Sequence, residues 1–89
     1  MSEDRETRLR RLRMRSMRRG IKEMDLILSR FADDTLADLS EGDLDVYEAL
    51  LVENDQDLYQ WVSGQATAPP RFAALIRQIA AHQAATAGR

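Results

Sequence analysis

Ile21, Met24, Ile27, Leu28 and Phe31 recur at intervals of three and four residues, which puts all five on one face of an α-helix. Related spacings return at Leu44, Tyr47, Leu50 and Leu51, at Leu58, Trp61 and Val62, and at Phe72, Leu75, Ile76, Ile79 and Ala80. No stretch shows the strict alternation of a half-buried strand. A chain of 89 residues suits one ordinary domain. At this size folding buries only about 60–65% of the surface the unfolded chain exposes, so several short helices must share a lean core. The expected fold is all-α, a compact bundle of about five short helices. It is read as one domain over 1–89, with frayed ends at about 1–4 and 84–89.

Local signals divide the chain. Leu9, Leu12, Ser16 and Met17 form a thin stripe on an Arg-filled first helix, with Glu3, Asp4 and Glu6 favourably placed at its N-terminus. Gly20 interrupts it. The second helix should fade around Ala32–Asp34 into a loop or single turn, with Leu36 and Leu39 facing inward. Ser40 is placed to cap a third helix, and Asn54 or Asp55 a fourth that stops at Gly64. Pro70 suits the first turn of the last helix, where its missing N–H leaves no bond unmade.

The residue inventory excludes most chemistry. There is no Cys, hence no disulfide, thiolate metal site or cysteine nucleophile. The single His, His82, sits near the end of the last helix and reads as a solvated or dipole-complementing side chain. Asp33-Asp34, Asp43-Asp45 and Asp55-Asp57 lack the glycine and terminal Glu of a calcium loop, and read as caps or solvated acids. No Gly-rich phosphate loop is present. These readings imply no metal and no catalytic site. No apolar run approaches the ~18–20 residues that cross a bilayer. The acids among the first residues argue against an organelle transit peptide, so a cytoplasmic protein is expected.

Charge is sharply segregated. Residues 1–22 hold nine basic side chains against three acids, residues 23–61 hold twelve acids against Arg30 alone, and residues 62–89 hold three Arg and no acid. An Arg-rich helix invites phosphate, and a nucleic-acid-binding regulator or antitoxin-like protein is the competing function it suggests. Yet no aromatic residues interleave with the Arg run, and the acidic middle can neutralise it internally. Structural or partner-facing use is therefore favoured over nucleic acid.

Arg18-Arg19-Gly20-Ile21-Lys22-Glu23-Met24-Asp25 stands apart. A glycine inside a helix costs about 1 kcal/mol relative to alanine. One reading ends a helix at Gly20 and leaves Arg19 and Glu23 as an i,i+4 pair contributing only ~0.3–0.5 kcal/mol. The other has Gly20 admit another protein's backbone or a flat ligand, with Arg19 and Glu23 flanking the contact. The residues alone leave both open.

Arg19-Gly20-x-x-Glu23 resembles the Arg-Gly-x-x-Glu signature of the SdhE family, the succinate dehydrogenase assembly (flavinylation) factors. The likeness extends from Arg18 and Asp25 through Leu28, Phe31, Leu39-Ser40, Tyr47, Leu50-Leu51, Asp55-x-Asp57-Leu58 and Trp61, over about residues 15–80. It implies a five-helix bundle with no cofactor of its own. It implies a chaperone, not an enzyme, that binds the flavoprotein subunit of succinate dehydrogenase, and in some bacteria of fumarate reductase, and promotes covalent attachment of FAD to a histidine there. A free monomer awaiting that partner is the simplest state. By the motif, Arg19, Gly20 and Glu23 contact the partner, with Arg18 and Asp25 beside them. The Arg-rich segment 5–15 departs from the family pattern. An enzyme acting alone on flavin would need a phosphate cradle that the sequence lacks.

Overall fold

Five α-helices and one 3₁₀ turn make up the fold in a computed structural model that describes residues 3–87, and no strand occurs among them. The helices are α1 (Arg5–Arg15), α2 (Lys22–Thr35), α3 (Glu41–Leu50), α4 (Asp55–Ser63) and α5 (Pro70–Thr86), with the 3₁₀ turn at Leu36–Asp38 between α2 and α3. The all-α bundle expected from periodicity is the observed architecture.

The helix starts follow from side-chain chemistry. Asp4, Ser40 and Asn54 adopt extended backbone and accept hydrogen bonds from Thr7 N, Asp43 N and Gln56 N, which satisfies N–H groups that a helix start leaves unpaired. Pro70 occupies the first turn of α5. Gly64 ends α4 in the left-handed region at φ 84°, where a side chain would be strained. α2 has no side-chain cap, but carries Glu23 and Asp25 in its first turn, where the helix dipole favours acids.

α5 is the hub, packing against α2, α3 and α4, while α1 rests on α2 and the 3₁₀ turn. The core joins Leu12 of α1, Met24, Leu28 and Phe31 of α2, Leu44, Tyr47 and Leu50 of α3, Leu58 of α4 and Phe72 and Ile79 of α5. Leu36 and Leu39 are buried, as their spacing predicts.

The structure departs from the sequence expectations at several points. Met17 is exposed, because α1 stops at Arg15 and Ser16 closes the helix instead of continuing its stripe. Trp61 is half-buried, with its ring tilted against Phe72 at 6.0 Å between centroids. His82 is not a solvated side chain. Its Nε2 lies 2.8 Å from Asp34 Oδ2 and its ring meets Phe31 edge-on at 5.6 Å, tying α5 to α2. Near the ends, Asp4 caps α1 and α5 runs on to a buried Thr86. Residues 1–2 and 88–89 lie outside the described residues.

Candidate functional site: the knuckle between α1 and α2

Residues 16–21 turn the chain from α1 into α2. Ser16 N donates to Leu12 O at 3.0 Å, and Met17 N to Met14 O at 3.2 Å, closing the last turn of α1. Arg18 then takes φ 57°, a left-handed conformation uncommon for any residue with a Cβ. Its backbone N–H donates to Asp25 Oδ1 at 2.9 Å, and Ser29 Oγ donates to the same oxygen at 3.2 Å. Asp25 thus holds the strained turn from the first turn of α2. Ile21 is extended and starts the helix, with Asp25 N donating to its carbonyl.

Arg19 points the other way. Its Nε donates to Asp55 Oδ1 at 2.9 Å, and its Nη2 lies 2.7 Å from the same oxygen. Nη1 donates to Leu51 O at 3.1 Å and to Arg15 O at 3.2 Å. The second oxygen of Asp55 accepts the Gly20 N–H at 2.6 Å. The Arg19 side chain is only 12% exposed and that of Asp55 16%. One carboxylate on the first turn of α4 and one guanidinium therefore bind together the ends of α1 and α3, the start of α4 and the knuckle.

This corrects the i,i+4 pairing of Arg19 with Glu23. Arg19 is drawn to Asp55, 36 positions on, where burial and two carbonyls complete its bonding. The Glu23 side chain is exposed and makes no hydrogen bond or ion pair among the described residues. Arg18, Gly20 and Lys22 are likewise exposed. Val52, which follows Leu51, is 72% exposed. Of the five residues singled out by sequence, the structure brings Arg18 and Asp25 into one hydrogen bond. It places Arg19 and Gly20 on a common carboxylate and leaves Glu23 facing outward. Asp55, which by sequence is only a candidate cap, instead binds Arg19 and the Gly20 N–H. The available signal was that Asn54 alone suffices to cap α4, which leaves the next acid spare.

The Arg run has its own destination. Arg5 and Arg8 pair with Glu41, Arg8 with Asp45, and Arg8, Arg11 and Arg15 with Glu48, all on α3. Arg11 also grips Glu3, and Arg13 reaches Asp33 at 3.6 Å. The Arg11 hydrogen bonds hold the carboxyls of Glu3 and Glu48 below the usual carboxylate range. A hollow of about 500 Å³ lined by these side chains holds both signs of charge. The internal neutralisation expected from the charge blocks is thus present, and nothing in this pairing favours the nucleic-acid alternative. Among the described residues no group of three or more His, Asp or Glu could hold a metal ion. No described helix is long and apolar enough to cross a membrane.

Comparison with known proteins agrees with the motif. The family described as flavinator of succinate dehydrogenase matches residues 10–83, and the chain belongs to this family. Its relatives include proteins named succinate dehydrogenase assembly factor 2, mitochondrial. That of Meyerozyma guilliermondii is 51% identical over 61 residues, covering 68% of this chain and 45% of the relative. That of Schizosaccharomyces pombe is 41% identical over 70 residues, covering 79% and 50%. That of Drosophila grimshawi is 38% identical over 74 residues, covering 81% and 50%. The matched region spans half or less of the length of these relatives.

Proposed function

We propose that this chain is an assembly factor that docks on the flavoprotein subunit of succinate dehydrogenase and promotes covalent attachment of FAD to that subunit, without a catalytic site of its own. The observation that carries this reading is the knuckle. A polar, partly strained turn is held by hydrogen bonds to Asp25 and Asp55 and leaves Arg18, Gly20, Lys22 and Glu23 exposed. The names of its relatives supply the partner class. In this reading Glu23 and Gly20 meet the partner, Arg18 flanks them, and Arg19 and Asp25 hold the turn in shape.

A binding partner without reactive groups contributes through geometry. Holding the flavoprotein in its reactive arrangement keeps the flavin and the accepting side chain near contact, and well-oriented groups react far faster than freely moving ones. A surface set by internal hydrogen bonds before docking loses less conformational entropy on binding. A fumarate reductase flavoprotein would be served through the same surface, and the chain would await either partner as a monomer. Its compartment follows from where that flavoprotein receives FAD. The relatives' names say mitochondrial, whereas the acids at Glu3, Asp4 and Glu6 gave a cytoplasmic expectation.

The test uses purified flavoprotein subunit, FAD and the chain or its variants. Covalent flavin is read by fluorescence after a denaturing gel. Gly20→Arg and Glu23→Ala should keep the helical circular-dichroism signal and diminish covalent flavin. Undiminished flavin with both variants would remove the docking assignment.

A further inference from the structure

We propose that Asp55 is the positioning residue of the knuckle, and that glycine stands at position 20 to make room for its carboxylate. The inference rests on the docking reading above and assigns Asp55 no contact with the partner.

Three observations carry it. First, Asp55 is surplus to its own helix, because Asn54 already caps α4 through Gln56 N. Its two oxygens are divided between neighbours, Oδ1 on Arg19 and Oδ2 on the Gly20 N–H. Secondly, Gly20 has no positive φ, so its backbone conformation does not call for glycine. A Cβ built there would lie 3.1 Å from Asp55 Oδ2, tighter than ordinary van der Waals contact, with no other neighbour that close. The lack of a side chain is therefore explained from inside the molecule. Thirdly, Arg19 spends its donors on Asp55, Leu51 O and Arg15 O, which makes it a strut of the same clamp and not an outward-facing charge. Charge-assisted hydrogen bonds of this kind are the stronger class, and a carboxylate that bridges a guanidinium and a backbone amide fixes both in one orientation. Removing it would let residues 18–23 move relative to α4 while the core beneath stays packed.

The competing explanation is that Gly20 is bare so that the partner's backbone can approach. Coupling between positions 20 and 55 separates the two. The chain and the variants Asp55→Asn, Asp55→Ala, Gly20→Ala, Gly20→Ala/Asp55→Ala and Glu23→Ala are titrated into purified flavoprotein subunit with FAD. The concentration giving the half-maximal rate of covalent flavin formation is read for each, alongside circular dichroism. Asp55→Asn should retain the helical signal and raise that concentration about tenfold, the size of one lost charged hydrogen bond. Gly20→Ala should raise it in the unmodified background, but add less than about twofold once Asp55 is Ala.

An unchanged value for Asp55→Asn overturns the proposal, as does no effect of Gly20→Ala or the same effect with and without Asp55. If Glu23→Ala weakens the chain while Asp55→Asn does not, only this inference falls. If neither Glu23→Ala nor Gly20→Arg has any effect, the docking reading falls with it. Hydrogen exchange on the unmodified chain keeps the proposal testable should Asp55 variants unfold. The Gly20 amide, on an exposed turn, should exchange more slowly than a free amide, and a Gly20 amide exchanging at the free rate overturns the clamp.

Discussion

The hydroxyls of Ser16 and Tyr47 lie 2.6 Å apart inside the core, joining the last turn of α1 to the middle of α3. Ser16 Oγ also lies 2.8 Å from Leu12 O, a carbonyl that only accepts, so the serine proton goes there and the Tyr47 O–H donates to Ser16. This bond fixes where α1 ends. The knuckle begins at this serine, so a buried hydroxyl pair sets the starting point of an exposed turn.

Tyr47→Phe should destabilise the fold by about 1–3 kcal/mol, because Ser16 keeps a buried lone pair with no donor. A urea midpoint, with the slope unchanged, measures it. Adding Ser16→Ala should cost less than the two single losses combined, since removing both partners leaves no unsatisfied group. Strict additivity would show that the hydroxyls do not interact.

Alkaline pH tests the same residue differently. Burial pushes the Tyr47 phenol from its usual 10.0 up to about 12. The folded chain then holds that proton more tightly than the unfolded chain. Its contribution is complete below about pH 10 and is lost as pH rises toward 12, on the order of 2–3 kcal/mol in all. Urea midpoints measured across this range should fall, and Tyr47→Phe should flatten the fall. A slope that Tyr47→Phe leaves untouched would assign the transition to another group.

Acid acts on the seam between α1 and α3. Glu48 accepts from Arg11 at 2.9 and 3.2 Å and from Arg8 at 3.2 Å, and these bonds lower its carboxyl pKa. A lowered pKa means the contribution is present above the usual 4.5 and disappears as pH falls through the folded value. Part of the side chain meets water, so the screened contribution is about 1 kcal/mol. Glu48→Gln should remove roughly that amount near neutral pH and weaken the acid dependence. High salt should shrink the difference between the two proteins.

What the sequence made legible was local. The stripe from Ile21 to Phe31, the caps at Ser40 and Asn54, the stop at Gly64 and Pro70 in the first turn of α5 all depend on neighbours within a turn or two. The misjudged residues depend on distant ones. Arg19 had an acid four positions away, yet is bound by Asp55, and His82 meets Asp34 across 48 positions. Ionic pairing between remote segments leaves no periodic trace, so Glu23 was the visible partner and Asp55 was not. Met17 fits the α1 stripe by spacing, but the Ser16–Tyr47 bond is made where the helix has already ended. The motif singled out one segment of chain, while the division of its members between inward and outward faces required the fold.

The pairing of α1 with α3 also carries an expectation about polyanions. Arg5, Arg8, Arg11 and Arg15 are engaged by Glu41, Asp45 and Glu48, so the Arg run presents far less free charge than its sequence suggests. Each phosphate contact that releases counterions contributes about −0.9 to the slope of log affinity against log salt on duplex DNA. The unmodified chain should therefore bind duplex or heparin weakly, with a shallow slope. Glu41→Gln, Asp45→Asn and Glu48→Gln together should release the arginines, steepen the slope by several units and shift elution from heparin to higher salt. Tight binding with a steep slope by the unmodified chain would restore the nucleic-acid reading. Equal elution of both proteins would show that these carboxylates do not restrain the arginines in solution.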